Sequence, residues 1–228
     1  MRYDITNIPI GEIFEERDGC PICRLRDKLE TRAVEYITGA AMMEPDIRME
    51  TNRLGFCLSH YRMMLKQRNR LGVALMLESH LAETEKRVFA GLPLKGTKRQ
   101  TQDARRAGES CFVCRQVDGA MEKMLATVCR TWEEQREFRQ LFEQQPCLCL
   151  PHFSALAQAA QVHSSKKQRA EFVKAARTLA QQYLTALRGD VRHFCEMYDY
   201  RNSGENADWG NSRDAVERAI WYLTSRQP

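Results

Sequence analysis

Eight cysteines and histidines fall into two copies of one pattern. Cys20 and Cys23 form a Cys-x-x-Cys pair, followed after 33 residues by Cys57 and His60 as Cys-x-x-His. Cys111 and Cys114 repeat the first pair, and after 34 residues Cys149 and His152 repeat the second. Three thiols and one imidazole are a complete ligand set for tetrahedral zinc, with sulfur at about 2.3 Å and nitrogen at about 2.0–2.1 Å from the ion. Taken in chain order, each copy supplies one set. The expectation is two structural zinc ions, one on Cys20, Cys23, Cys57 and His60, the other on Cys111, Cys114, Cys149 and His152.

Other chemistries of these residues fit less well. Nine cysteines suit a disulfide scaffold only in a short secreted chain, and an odd number leaves one unpaired. Redox use of Cys-x-x-Cys wants a βαβ setting that the sequence lacks. Haem attachment needs a histidine directly after the pair, where Arg24 and Arg115 stand. An iron–sulfur cluster on three cysteines and one histidine is chemically allowed but ranks behind zinc. Cys147, two residues before Cys149, competes with it as a ligand; Cys149 alone keeps the spacing of the first copy.

The remaining candidates carry weaker signals. Cys129 and Cys195 lie on apolar helical faces and read as core residues. His80, His163 and His193 have no ligand partner at a useful spacing. Met42, Met43, Met63, Met64 and Met76 read as core filling rather than a copper site. Glu44, Asp46 and Glu50 form an acidic cluster that reads as a solvated face, the alternatives being acid–base chemistry or a partner to the His60 ring.

The elements that must position these ligands are helical almost throughout. Apolar residues recur at spacings of three and four in Cys23–Met43 (Leu25, Leu29, Ala33, Tyr36 or Ile37, Ala40), and again around Phe172, Ala176, Leu179, Tyr183, Leu187, Val191, Phe194 and Tyr198. Further helices are expected over 46–53, 58–90 (bent near 69–72), 114–130, 133–143 and 151–162. Ser164 or Ser165 caps the long one, and Ser212 opens a last helix with Val216, Ile220 and Leu223 as its buried stripe. Pro21 and Pro151 suit first-turn positions, so each ligand pair is placed at a helix N-terminus. Tyr3–Ile8 alone reads as a short extended arm.

The offset between copies is 91 residues at Cys20 and Cys111, and 92 at Cys57 and Cys149. This regularity reads as an internal duplication. The expected fold is all-α: pseudo-repeated, zinc-stapled helical units at 1–91 and 110–228, a linker at 92–109, and additional C-terminal helices packing across the units.

Composition sets the outer bounds. With 228 residues, 43% hydrophobic and 29% charged, the chain has a globular profile. No run approaches the roughly 18 apolar residues of a membrane span, and the first residues lack a secretory h-region, so a cytoplasmic protein without membrane association is expected. The net charge of +5 gathers in the second part of the chain. Lys95, Lys98, Arg99, Arg105 and Arg106 give the 92–109 linker a basic bias, which offers nucleic acid a weak foothold without interleaved aromatics.

The runs Cys20-Pro21-Ile22-Cys23-Arg24, Met42-Met43-Glu44-Pro45-Asp46 and Thr51–Cys57 with His60, together with Trp209–Ile220, resemble a bacterial family of unknown function. Its members are mostly Gram-positive and carry such tandem motifs. The resemblance covers nearly the whole chain and implies the fold and the metal sites, with no activity attached. A non-enzymatic zinc-binding interaction or adaptor module with a protein partner is therefore the leading expectation, because four protein ligands leave no position open for water or substrate. A thiol-based redox or zinc sensor, and a metalloenzyme with one open site, are the alternatives.

Overall fold

In a computed structural model, residues 5–6, 8–89, 98–199 and 208–226 are described, and among them there is no strand. The helices are α1 (Ile10–Glu15), α2 (Pro21–Thr38), α3 (Pro45–Leu54), α4 (Leu58–Lys66), α5 (Arg70–Phe89), α6 (Lys98–Glu109), α7 (Phe112–Glu134), α8 (Arg136–Glu143), α9 (Leu150–His163), α10 (Lys166–Glu196) and α11 (Ala215–Thr224), with a 3₁₀ turn at Ala40–Met43. The all-α expectation holds. Of the extended arm expected at Tyr3–Ile8, Ile5 and Thr6 form a turn and Ile5 and Ile8 are buried, while residues 3, 4 and 7 lie outside the described residues.

The chain forms two compact units, neither of them a continuous half. The first comprises Met1–Thr6 and Asp27–Met121; the second comprises Asn7–Arg26 and Glu122–Pro228. Helix α2 is divided between the units after Arg26, and α7 begins in the first unit and ends in the second. This division cuts across the chain-order segments 1–91 and 110–228. Within 92–109, Lys98–Glu109 is helical and packs on α5, with an Arg105–Glu109 pair at 2.8 Å. Lys95 lies outside the described residues.

The core of the first unit combines aliphatic side chains with Met64, Met76, Phe56 and Phe112. Leu29, Val34 and Ile37 of α2 are fully buried, as is Met64, with Val73 and Met76 also in the core. The stripe expected on α2 is thus present with Ile37 rather than Tyr36, and it ends early, since Thr38 closes the helix and Ala40 starts the 3₁₀ turn. The single bent helix expected over 58–90 is two helices. The break falls at Arg68, whose φ of 59° lies in the left-handed region, and the Asn69 side chain accepts from the Gly72 N–H at 2.9 Å to start α5. Pro45 sits in the first turn of α3, where its missing N–H costs nothing.

The second unit packs around aromatic rings. Phe14 of α1 meets Phe138 edge-on at 4.8 Å and stacks with Phe142 at 5.7 Å, and Phe142 and Trp132 each reach Phe172 at 5.3 Å. Burying such rings contributes about 1.5–3 kcal/mol each, with about 0.5–1.5 kcal/mol more for ring–ring geometry. Gln145 ties α1 in place by donating to the Phe14 carbonyl at 2.6 Å. Ser165, not Ser164, caps α10, accepting from the Gln168 N–H.

Helix α11 turns a different face inward from the one expected. It opens at Ala215, not at Ser212, and buries Ala215 and Tyr222, whose hydroxyl donates to the Ala180 carbonyl at 3.0 Å. Val216, Ile220 and Leu223 are 39%, 41% and 56% exposed. Apolar residues lie on both sides of this short helix, so periodicity alone does not choose between them. The tyrosine does, because it fills space and satisfies a buried carbonyl in one placement. No helix among the described residues is long and apolar enough to cross a membrane.

Candidate metal centres

All four ligand pairs have one local geometry. In each, the first residue stands just before a helix and its carbonyl accepts the opening helical bond: Arg24 N–H to Cys20 at 3.2 Å, Tyr61 to Cys57 at 3.0 Å, Arg115 to Cys111 at 3.1 Å and Phe153 to Cys149 at 2.9 Å. The second residue is the third of the helix, so both side chains project from one side of the first turn. The sulfurs and ring nitrogens thus sit at the positive ends of α2, α4, α7 and α9, where spare N–H groups favour anionic ligands. The Cys114 N–H, 3.4 Å from the Cys111 sulfur, is one such donor. The placement of every pair at a helix N-terminus agrees with the expectation.

The grouping does not. Cys20 and Cys23 gather with Cys149 and His152, and Cys57 and His60 gather with Cys111 and Cys114; in each group the four ligand atoms lie within 4.8 Å of one another. The first Cys-x-x-Cys is therefore matched with the second Cys-x-x-His, and the reverse. Each complete group lies inside one compact unit, the Cys57 group in the first and the Cys20 group in the second.

Tertiary contacts explain the crossing in the first unit. The Phe112 N–H donates to the Gly55 carbonyl at 2.9 Å and the Ser110 hydroxyl to the Leu54 carbonyl at 2.6 Å, so the segment entering α7 is held against the segment entering α4. The Phe56 ring sits between Tyr61, at 5.5 Å, and Phe112, at 6.3 Å. Gly55 has φ of 60°, and a Cβ there would come 2.6 Å from the His80 ring. His80 is thereby structural, its Nδ1 lying 2.8 Å from the Asn52 carbonyl.

Distances within each group suit a tetrahedral ion. Two sulfurs about 2.3 Å from a tetrahedral centre stand about 3.8 Å apart, and sulfur and imidazole nitrogen about 3.6 Å. The Cys23 and Cys149 sulfurs are 3.7 Å apart, and those of Cys57 and Cys114 are 3.9 Å apart. His152 Nδ1 lies 3.7, 3.3 and 3.1 Å from the sulfurs of Cys20, Cys23 and Cys149. His60 Nδ1 lies 3.1, 3.2 and 3.5 Å from those of Cys57, Cys111 and Cys114. In both groups Nδ1 faces the sulfurs, and all nine cysteines are free thiols.

The electrostatics fit a site suited to a cation. Hydrogen bonding to Cys20, then burial and the charge of the adjoining thiolate, push Cys149 up to about 12, and Cys23 is raised as well. Burial opposes ionisation of Cys20, but hydrogen bonds from Cys149, Cys23 and His152 outweigh it and lower its pKa. In the other group, burial and then the nearby Cys111 charge push Cys114 up to about 12, and burial raises Cys111. A metal ion held by these groups would have to displace protons from the raised thiols.

The surroundings of the remaining candidates give each a physical reading. Cys147 is buried and raised by burial, but stands outside the Cys149 group. Burial pushes Cys129 up to about 11, as suits a core thiol, whereas Cys195 is exposed rather than buried. Glu44 and Asp46 are exposed, and Glu50 pairs with Arg53 at 2.9 Å and with Arg115 at 3.3 Å. The carboxylate behind the His60 ring is instead Glu30 of α2, 3.9 Å from Nε2. The i+3 and i+4 spacing of α2 could not reveal it, since its partner comes from a different helix. The arginines after each Cys-x-x-Cys both find acids: Arg24 pairs with Glu16 at 3.0 Å and with Asp18, and Arg115 with Glu50.

No curated protein and no solved structure matches the chain. The model of a family of unknown function, DUF6062, matches residues 1–228, and the chain belongs to that family.

Proposed function

We propose that this is a two-zinc protein whose ions hold the helices together, and that it acts in the cytoplasm as a non-enzymatic interaction module for a protein partner. The observation that carries the reading is the gathering of eight ligand residues, remote in sequence, into two groups of three thiols and one imidazole. Four protein ligands saturate a tetrahedral ion, which supports a structural rather than a catalytic role. A reducing compartment keeps the thiols available as ligands.

The test is native mass spectrometry of protein purified without added metal, followed by cobalt substitution. Two zinc ions per chain, and a tetrahedral cobalt spectrum indifferent to added cyanide, are the expected results. A cyanide-sensitive spectrum would point to an open, catalytic position, and absence of bound metal would sink the reading.

One observation favours a second reading for the first unit. Cys57 and Cys114 are partly exposed and 3.9 Å apart, whereas all four ligands of the other group are buried. A peroxide could take two electrons from this sulfur pair. The S–S bond forms, the O–O bond breaks, two protons are taken up, two waters leave, and the zinc departs. Release of one zinc with a Cys57–Cys114 disulfide under mild peroxide would support a sensor.

A further inference from the structure

The two histidine ligands differ on the side turned away from the sulfurs. His60 Nδ1 faces three sulfurs, so Nε2 is the nitrogen left to carry the ring proton when Nδ1 binds an ion. Behind it, 3.9 Å away, stands the Glu30 carboxylate, with a side chain only 13% exposed. Glu30 belongs to α2, a different helix from either ligand pair of this group. His152 turns Nδ1 to its sulfurs in the same way, yet has no such carboxylate partner among the described residues.

We infer that Glu30 is the positioning residue of the first unit's metal centre: it accepts from the His60 Nε2–H, fixes the tautomer with Nδ1 free for the ion, and makes the imidazole a stronger ligand. This rests on the zinc reading given above. At 3.9 Å the contact is an ion-pair distance rather than a direct hydrogen bond. A direct bond needs the Glu30 side chain to turn toward the ring, or a water to bridge the two. Carboxylate partners of ligating histidines are worth about 10- to 100-fold in metal affinity.

The experiment compares full-length wild type with Glu30→Ala and Glu30→Gln. Both zinc affinities are measured by competition with a chromophoric chelator, and the histidine tautomers by long-range proton–nitrogen NMR. The expected result is a weakening of one site by about 10- to 100-fold in Glu30→Ala with the other unchanged, a smaller loss in Glu30→Gln, and altered nitrogen shifts at His60 but not at His152. Two wild-type affinities that survive Glu30→Ala unchanged, or that fall together as a general loss of stability would make them, overturn the inference. Wild type that takes up no zinc overturns the zinc reading, and this inference with it.

Discussion

The centre on Cys20, Cys23, Cys149 and His152 and the centre on Cys57, His60, Cys111 and Cys114 share a ligand set and a local geometry, yet differ in their shells. In the second unit all four ligands are buried, in a unit whose core is built of packed aromatic rings. In the first unit Cys57 and Cys114 reach solvent, Phe56 packs with Tyr61 and Phe112 beside the segments that carry the ligands, and a carboxylate stands behind the histidine. The two groups thus offer an ion the same donors but differ in solvent access and in what stands behind the histidine, features that tune the metal affinity of such sites.

On the two-zinc reading proposed above, removing both ions erases the comparison and has the largest expected effect. Structural zinc contributes roughly 10–16 kcal/mol of apparent binding energy at neutral pH, comparable with the whole stability of a domain. Chelation should therefore abolish most of the helical circular dichroism. Because zinc must displace protons from raised thiols such as Cys114 and Cys149, affinity rises with pH, and the ions and the helicity are lost together as pH falls. Helicity that survives chelation would contradict this.

Partial removal sharpens the comparison. A chelator in modest excess should take zinc in two phases, the faster from the first unit. An alkylating agent followed by peptide mass spectrometry should mark Cys57 and Cys114 before Cys20, Cys23 and Cys149. One shared rate would mean that exposure does not govern exchange.

Gly55→Ala should act on the first unit alone. A side chain at φ of 60° is strained and its Cβ would meet the His80 ring, at a cost of about 1–3 kcal/mol. The residue lies two positions before Cys57, so the expected outcome is weaker zinc binding by the first unit and an unchanged second centre. The smallest effect is expected from Tyr222→Phe, which removes one buried hydrogen bond in the second unit, worth about 1 kcal/mol, and leaves the Ala180 carbonyl without that donor. Denaturant midpoints of the zinc-loaded protein measure both.

The ligands could be read from the chain because their signals are local. Spacing, prolines at Pro21 and Pro151, and helix-start patterns all concern a few consecutive residues. Which pairs meet is a long-range matter, and local spacing is silent on it. Chain-order grouping closes loops of 33 and 34 residues between pairs; the crossed grouping leaves 50 residues between His60 and Cys111 and 125 between Cys23 and Cys149. The extra closure entropy is at most about 1.5 kcal/mol, because it grows only with the logarithm of loop length. Burying one phenylalanine such as Phe112, with its N–H bonded to the Gly55 carbonyl, matches that. Proximity along the chain is therefore a weak guide. The same holds for α11, where Tyr222 rather than the Val216 stripe turns inward, and for Glu30, whose partner is supplied by another helix.

Zinc stoichiometry of paired cysteine substitutions tests the crossed grouping most directly. Native mass spectrometry of Cys20→Ser/Cys149→Ser should show one zinc, since both changes fall on one centre, and Cys20→Ser/Cys57→Ser should show none. The pairs Cys57→Ser/Cys111→Ser and Cys111→Ser/Cys149→Ser repeat the test from the other side, with one zinc and none expected. One zinc in Cys20→Ser/Cys57→Ser, with none in Cys20→Ser/Cys149→Ser, would contradict the account and restore the grouping by chain order.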